Sequence, residues 1–213
     1  MAGAALSLVL SACGGGARQD ASEPSRSFDV QIPTATFPAS QTLAQHVQLV
    51  ITVRNPDQRK TIPNVAVTIT DANYGTSAQA FGERIASPSE QSTQGLASAS
   101  RPVWIVDAAP DPGGGCGYSC SSGGAGGAVT AYTNTWALGP LKPGQIATFR
   151  WKVTPVKAGT HVVHWEVAAG LNGKARARLA DGSVPRGSFT VTIHSAPQQA
   201  YVNNSGQIVT MKP

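Results

Sequence analysis

From residue 28 onward, apolar and polar residues alternate in short runs, which is the period of a half-buried β-strand. In the run with Val47, Leu49, Ile51 and Val53, every second residue is apolar. Side chains alternate between the two faces of a strand, so these four residues share the face that meets a core. Similar runs occur at 28–32, 65–69, 102–106, 174–179, 187–195 and 208–211. The pattern therefore predicts on the order of seven strands or more.

The clearest pair of runs lies within residues 145–169, on either side of the five-residue stretch 155–159. We predict a β-hairpin here, in which the loop sets the register. The residues predicted to face the core are Ala147, Phe149, Trp151 and Val153 in the first strand and His161, Val163, Trp165 and Val167 in the second. On the outer face, this register places Arg150 opposite His164 and Thr148 opposite Glu166.

Composition supports an all-β chain. Only 13% of the 213 residues are charged, whereas 23 are glycine and 15 are proline. Short strands with many turns need this mixture, whereas long surface helices do not. We predict one domain over 28–213, an immunoglobulin-like two-sheet sandwich with a long glycine-rich insertion at about 73–135.

The first thirteen residues have the character of an export signal. No charge occurs before Cys13, and the apolar stretch is about half the roughly 20 residues that a spanning helix needs. The sequence Leu10-Ser11-Ala12-Cys13 resembles the lipobox of bacterial lipoproteins. The resemblance implies a signal peptide at 1–12, lipidation of Cys13, a flexible tether at 13–27 and an extracytoplasmic protein anchored to a membrane. No basic residue precedes the apolar stretch, which leaves open that the signal peptide is truncated at its start.

Two further stretches carry a second resemblance. Residues 50–70, VITVRNPDQRKTIPNVAVTIT, and residues 138–167, LGPLKPGQIATFRWKVTPVKAGTHVVHWEV, resemble the conserved-repeat and adhesion-related (CARDB-like) domains of bacterial surface proteins. They cover roughly a quarter of the chain. The resemblance implies a non-enzymatic domain for binding, adhesion or scaffolding.

The insertion at about 73–135 contains both remaining cysteines. Cys116 and Cys120 lie in a stretch, 113–127, in which eight of fifteen residues are glycine. In an oxidising compartment such close thiols should form a local disulfide. The alternative is a copper-handling or thiol-redox site, because thiolates bind Cu(I). That site needs a third ligand, and the four histidines lie in predicted strands, so we expect no metal and no cofactor. We expect the contact surface of the protein to lie in this insertion.

Basic residues suggest a second contact surface. Lys174, Arg176 and Arg178 alternate with apolar residues and should form a row on one strand face. Arg150 and Lys152 are also predicted to point outward, and the two rows would merge if their strands were neighbours. Such a patch would contact phospholipid head groups or anionic wall polymers.

No motif for catalysis or nucleic-acid binding is present in the sequence. The net charge is +5, without a block of like charges, and we expect no nucleic-acid partner. The sequence lacks a nucleophile elbow, a phosphate loop and a paired-histidine zinc motif, so we predict that the protein is not an enzyme. An accessory subunit of an envelope secretion or transport complex remains a further alternative.

Overall fold

The computed structural model describes residues 22–71, 80–83, 102–110, 134–195 and 200–210. These ranges contain strands and no helix. In chain order the strands are β1 (Arg26–Asp29), β2 (Gln31–Thr36), β3 (Ser40–Thr42), β4 (Val47–Arg54), β5 (Ala66–Asp71), β6 (Phe81–Glu83), β7 (Trp104–Ala108), β8 (Thr135–Ala137), β9 (Ile146–Pro155), β10 (Gly159–Ala168), β11 (Ala175–Arg178), β12 (Arg186–His194), β13 (Ala200–Val202) and β14 (Ile208–Thr210). Among these residues, no helix has the length and apolarity needed to cross a membrane.

Two five-stranded sheets form the body of the domain. The front sheet has the order β3-β12-β10-β5-β8, and the back sheet has the order β2-β4-β9-β7-β6. Consecutive long strands alternate between them, with β4 and β9 in the back sheet and β5 and β10 in the front sheet. This arrangement is an immunoglobulin-like β-sandwich and confirms the predicted fold class.

Alternating burial in the long strands builds the core between the sheets. Every second residue of β4, from Val47 to Val53, is buried, and so are Phe149, Trp151 and Val153 of β9. Trp151 stacks on Phe149 with ring centroids 5.9 Å apart and meets the edge of Trp136 at 5.5 Å. The strand faces that the sequence pattern predicts to be inward are therefore the faces that pack in the core.

The predicted hairpin at 145–169 is wrong in its pairing. β9 pairs with β4 and β7, whereas β10 pairs with β5 and β12, so residues between them cross from the back sheet to the front sheet. Val156 within this crossing donates its amide proton to the carbonyl of Val103, 2.8 Å away. β9 and β10 are the middle strands of the two opposite sheets. Alternation predicts only which face of a strand is buried. It gives the same pattern whether the next strand lies beside it in one sheet or opposite it in the other sheet, so it could not distinguish a hairpin from this crossing.

Part of the predicted insertion belongs to the back sheet. β6 and β7 both lie within 73–135, and β7 pairs antiparallel with β9 over Trp104–Ala108. The short run predicted at 102–106 corresponds to β7. The other residues of the insertion that the structure describes lie beside these strands or at its C-terminal end, 134–135; Cys116 and Cys120 lie outside the described residues.

The described chain begins inside the predicted tether and contacts the domain there. The carboxylate of Glu23 accepts the amide protons of Asn172, at 2.8 Å, and Ala175, at 2.6 Å. Three residues later, β1 pairs in parallel with β11 to form a two-stranded ribbon. Cys13 and residues 1–12 lie outside the described residues, so the lipidation site and signal peptide stay predictions.

Candidate functional site

Arg150 and Lys152 lie on the outer face of the back sheet. Both are exposed residues of β9, with inward-facing Trp151 between them. The guanidinium of Arg150 donates to the side-chain oxygen of Gln48 on β4, 3.3 Å away. Both side chains therefore point outward, as predicted.

Lys174, Arg176 and Arg178 lie on a different part of the molecule. Ala175 and Ala177 are buried, while Lys174 and Arg176 are exposed and Arg178 is half-buried. The neighbour of β11 is β1, and the neighbours of β9 are β4 and β7. The structure therefore does not join the two basic rows through adjacent strands.

The outer face of the front sheet carries an open polar groove of about 670 Å³. We call it the front-sheet groove; it is lined by Thr68, Thr70, His164, Trp165, Glu166, Arg186, Gly187 and Ser188. The strand register places its side chains in two rows. Glu166 of β10 lies between Thr68 of β5 and Arg186 of β12. His164 lies in the same way between Thr70 and Ser188.

The ionisable side chains of the front-sheet groove make no side-chain hydrogen bond or ion pair within the described domain. His164, Glu166 and Arg186 are exposed, and none makes a side-chain hydrogen bond or ion pair in the described part of the chain. A carboxylate offers only acceptors, a guanidinium only donors, and hydroxyl and imidazole groups offer both. The groove can therefore bind a polar ligand that carries both donors and acceptors.

Sequence reasoning missed this groove because it rested on the wrong strand neighbours. The outward orientation of His164 and Glu166 was evident from alternation, but the predicted hairpin placed them beside Arg150 and Thr148. In the structure their neighbours come from β5 and β12, which are distant in sequence. No local pattern marks those pairings.

A second polar cluster lies on the back sheet. Asp107 Oδ2 lies 3.0 Å from His46 Nδ1 and accepts from the Thr154 hydroxyl at 2.6 Å; that hydroxyl is also 2.9 Å from His46 Nδ1. An acyl-transfer triad needs the nucleophile on one ring nitrogen and the carboxylate on the other. Here both contact Nδ1, so the cluster lacks that arrangement. It connects the turn before β4 to β7 and β9.

A third polar cluster is buried and crosses the core. The indole of Trp104 in the back sheet donates to the side-chain oxygen of Gln41 in the front sheet, 2.7 Å away. The His161 ring meets Trp104 at 5.8 Å, and its Nδ1 lies 3.7 Å from Asp71 Oδ2. Gln41, Asp71 and His161 are the buried polar side chains at this end of the sandwich. Their position between the sheets indicates a structural role.

Within the described ranges, no group of three or more histidine, cysteine, aspartate or glutamate side chains is placed to hold a metal ion. Cys116 and Cys120, the residues of the copper or thiol-redox alternative, lie outside these ranges.

Comparisons with known proteins return structural likeness alone. No family model and no curated protein sequence matches the chain. A CARDB domain from Pyrococcus furiosus, solved in complex with di-metal ions, aligns over 78% of this chain and 85% of its own, with 10% identity and a TM-score of 0.37. A PapD-like domain of human CEP192 aligns over 80% and 87%, with 11% identity and a TM-score of 0.35. The chain also spans 16% of a Listeria innocua beta-glucosidase, with 13% identity and a TM-score of 0.33. At these scores the matches carry no argument about function.

Proposed function

We propose that this protein is a lipid-anchored, non-enzymatic component of the cell envelope whose immunoglobulin-like sandwich binds a partner through the front-sheet groove. The observation that carries the proposal is the set of exposed polar and charged side chains, His164, Glu166 and Arg186, that have no side-chain hydrogen bond or ion pair in the described domain. The partner is an envelope protein or polymer with a polar surface.

The groove is well placed for recognition because its floor is rigid. β10 is hydrogen-bonded on both sides, to β5 and to β12. Side chains held on a paired strand lose less conformational freedom on binding than side chains on a mobile loop. Glu166 and Arg186 are direct cross-strand neighbours, yet no ion pair within 4.0 Å joins them. Both charges are therefore available to a ligand.

The N-terminal motif supports the cellular setting. Lipidation of Cys13, which the lipobox resemblance implies, would hold the sandwich at a membrane surface outside the cytoplasm. Several acyl chains on one cysteine give stable attachment, whereas one chain is marginal. A domain held in this way meets wall polymers, envelope proteins and lipid head groups.

The anchor is tested by the intact mass of the protein extracted from membranes, with and without reduction and alkylation. We expect a mass that starts at Cys13 and includes acyl chains, with two thiols appearing only after reduction. Cys13→Ala is the control and should abolish the acylated species. An unlipidated chain that retains Met1 would contradict the proposal, and lipidated protein with free or metal-loaded thiols would favour the copper or thiol-redox alternative.

Photo-crosslinking tests the groove. A photoreactive amino acid replaces Ser188, an exposed groove residue, and the matched control replaces Thr148, an exposed residue of the back sheet. In intact cells we expect a defined adduct at position 188 that is absent at 148 and is lost in the Glu166→Ala/Arg186→Ala variant. Equal labelling at both positions, or an adduct that survives the double substitution, would exclude the groove as the binding surface. A single stoichiometric protein adduct would identify the chain as an accessory subunit of a complex.

A further inference from the structure

We propose that the outward face of the β1–β11 ribbon is the membrane-facing surface of the domain and that Lys174 and Arg176 bind the head groups of anionic phospholipids. The inference rests on the lipid anchor of the proposed function and adds the orientation of the domain on the bilayer.

The ribbon exposes its cations and buries its apolar residues. Phe28 of β1 pairs with Ala177 of β11, and both are buried with Ala175. Arg176 is exposed and pairs with Ser27. Arg26 is exposed at the end of the ribbon but shares the face of Phe28, and its guanidinium lies 5.1 Å above the centre of that ring. The opposite, outward face of the ribbon carries polar and basic side chains, among them Lys174 and Arg176.

The N-terminal end of β1 is the part of the ribbon closest in sequence to Cys13, the predicted lipidation site. Glu23 lies ten residues after Cys13, and its carboxylate is held by the amides of Asn172 and Ala175, on either side of Lys174. Ten extended residues reach at most about 35 Å, and a flexible chain of this length spans about 18 Å on average. A lipid on Cys13 therefore keeps Lys174 close to the head groups.

The acidic groups near the ribbon are largely engaged elsewhere. The Glu23 carboxylate accepts two backbone amides. Asp181 accepts both the amide and the hydroxyl of Ser183. Asp29 is exposed on the outward face as the register partner of Arg178, whose guanidinium donates to the carbonyl of Gly182. Asp29 is thus one acidic side chain beside three basic ones on this face, and Lys174 and Arg176 form no ion pair in the part of the chain that the structure describes.

Proximity to the bilayer favours phospholipid over a wall polymer as the anionic partner. Electrostatic attraction between exposed charges is screened beyond about 8 to 10 Å at physiological ionic strength. A lipid on Cys13 keeps the ribbon within about 35 Å of the bilayer, so its basic side chains come within this screening distance of phospholipid head groups more often than of a polymer that is not tethered to the chain. Each basic side chain at such a surface strengthens the association about fivefold.

Amine acylation of the lipidated full-length protein in vesicles tests the orientation. The protein is reconstituted in vesicles of phosphatidylcholine, with or without phosphatidylglycerol, and separated by flotation. An amine-acylating reagent is then applied, and modification is measured at individual lysines by mass spectrometry. Lys152, exposed on the outer face of the back sheet, is the internal control.

We expect Lys174 to react roughly fivefold more slowly when phosphatidylglycerol is present, with the difference abolished by high salt, while Lys152 reacts equally in both vesicles. Arg176→Gln should weaken the protection of Lys174, and Arg150→Gln should leave it intact.

Equal reactivity of Lys174 in both vesicles, or equal protection of Lys152, would overturn the proposal. Stronger protection of Lys174 by soluble polyglycerol phosphate than by phosphatidylglycerol would assign the ribbon to a wall polymer and overturn it as well. A chain that fails to float with the vesicles would contradict the lipid anchor itself, and so is distinguished from failure of the ribbon to bind.

Discussion

At the scale of single residues, a close steric contact lies beneath the front-sheet groove. Gly187 of β12 is the register partner of Trp165 of β10. A methyl group on Gly187 would lie 2.7 Å from the indole ring, closer than carbon atoms pack. Trp165 thus fills the space that a side chain at 187 would take, and the front sheet depends on this small residue.

Gly187→Ala should destabilise the domain by about 1 to 3 kcal/mol, because the buried indole must move to admit the new methyl group. Chemical denaturation measures the loss. Ser188→Ala is the matched control, since Ser188 points to the opposite face of the same strand, and should change the free energy of unfolding by less than about 0.5 kcal/mol. Equal stability of Gly187→Ala and the wild type would contradict this packing.

Trp151 is the centre of the aromatic core. Replacement by alanine should cost about 3 to 5 kcal/mol. Its indole nitrogen is buried without a hydrogen-bond partner in the described part of the chain. Trp151→Phe keeps the stacking on Phe149 and removes that unsatisfied donor, so it should cost only about 1 to 2 kcal/mol. Chemical denaturation of the two variants measures these losses. An equal loss for Trp151→Phe and Trp151→Ala would contradict the stacked packing of this side chain in the core.

Asp57 makes the stability of the turn after β4 depend on pH. The amides of Arg59 and Lys60 donate to its carboxylate and hold the pKa below the ordinary value of 3.8. Because the folded pKa lies below the unfolded one, the stabilisation is present above the unfolded pKa and is lost as pH falls through the folded pKa. Asp57→Asn should therefore flatten the loss of stability below about pH 4. Denaturation curves at a series of acidic pH values measure the slope, which should be unchanged if the turn makes no contribution.

At the scale of elements, single contacts connect the two sheets. β3 lies at one edge of the front sheet and β7 lies in the back sheet. The hydrogen bond from Trp104 to Gln41 joins them through the core, and a second bond from the Gln41 amide to the carbonyl of Pro38 holds the accepting side chain in place. Short strands such as β3 and β7 gain order from such contacts.

Gln41→Leu should cost about 1 to 3 kcal/mol because it leaves the buried indole N–H of Trp104 unsatisfied. Trp104→Phe should cost a similar amount by leaving the amide oxygen unpaired. The double variant should be less destabilised than the sum, with a coupling energy of about 0.5 to 3 kcal/mol. Strictly additive losses in a double-mutant cycle would show that the bond does not couple the sheets.

At the scale of the whole molecule, Glu23 determines where the N-terminal segment meets the domain. Its two amide contacts join residue 23 to the stretch between β10 and β11. The same contacts bring β1 to β11 and place the basic ribbon ten residues from the predicted anchor. The front-sheet groove is built on β5, β10 and β12, so the proposed binding surface and the proposed membrane-facing surface use different strands.

Glu23→Gln should weaken this attachment, because a neutral amide oxygen accepts a weaker hydrogen bond than a carboxylate. We expect faster proteolytic cleavage near residues 22–26 with little change in the global unfolding midpoint. Limited proteolysis followed by mass spectrometry measures the rate, and Asp29→Asn is the control for removal of a charge from the ribbon. Identical cleavage rates in the wild type and Glu23→Gln would show that the contact does not hold the segment.

Much of the fold was evident in the amino-acid sequence. Alternation identified β4, β5, β9, β10 and β12, and the inward faces of β4, β9 and β10, because the two-residue period of a strand is local. Alternation also separated buried Ala175 and Ala177 from exposed Lys174 and Arg176. The candidate site was not predictable to the same extent, since its residues meet only through strand pairing.

The amino-acid sequence therefore determines which face of each strand is buried, because a run of alternating apolar residues has one way to hide them. Tertiary structure alone decided which strands are neighbours, because an inward face is covered equally well by a strand beside it or by one across the core. The misassigned hairpin between β9 and β10 is the direct result. The front-sheet groove, the separation of the two basic rows and the attachment of Glu23 all depend on pairings between residues far apart in the chain, which no local period can specify.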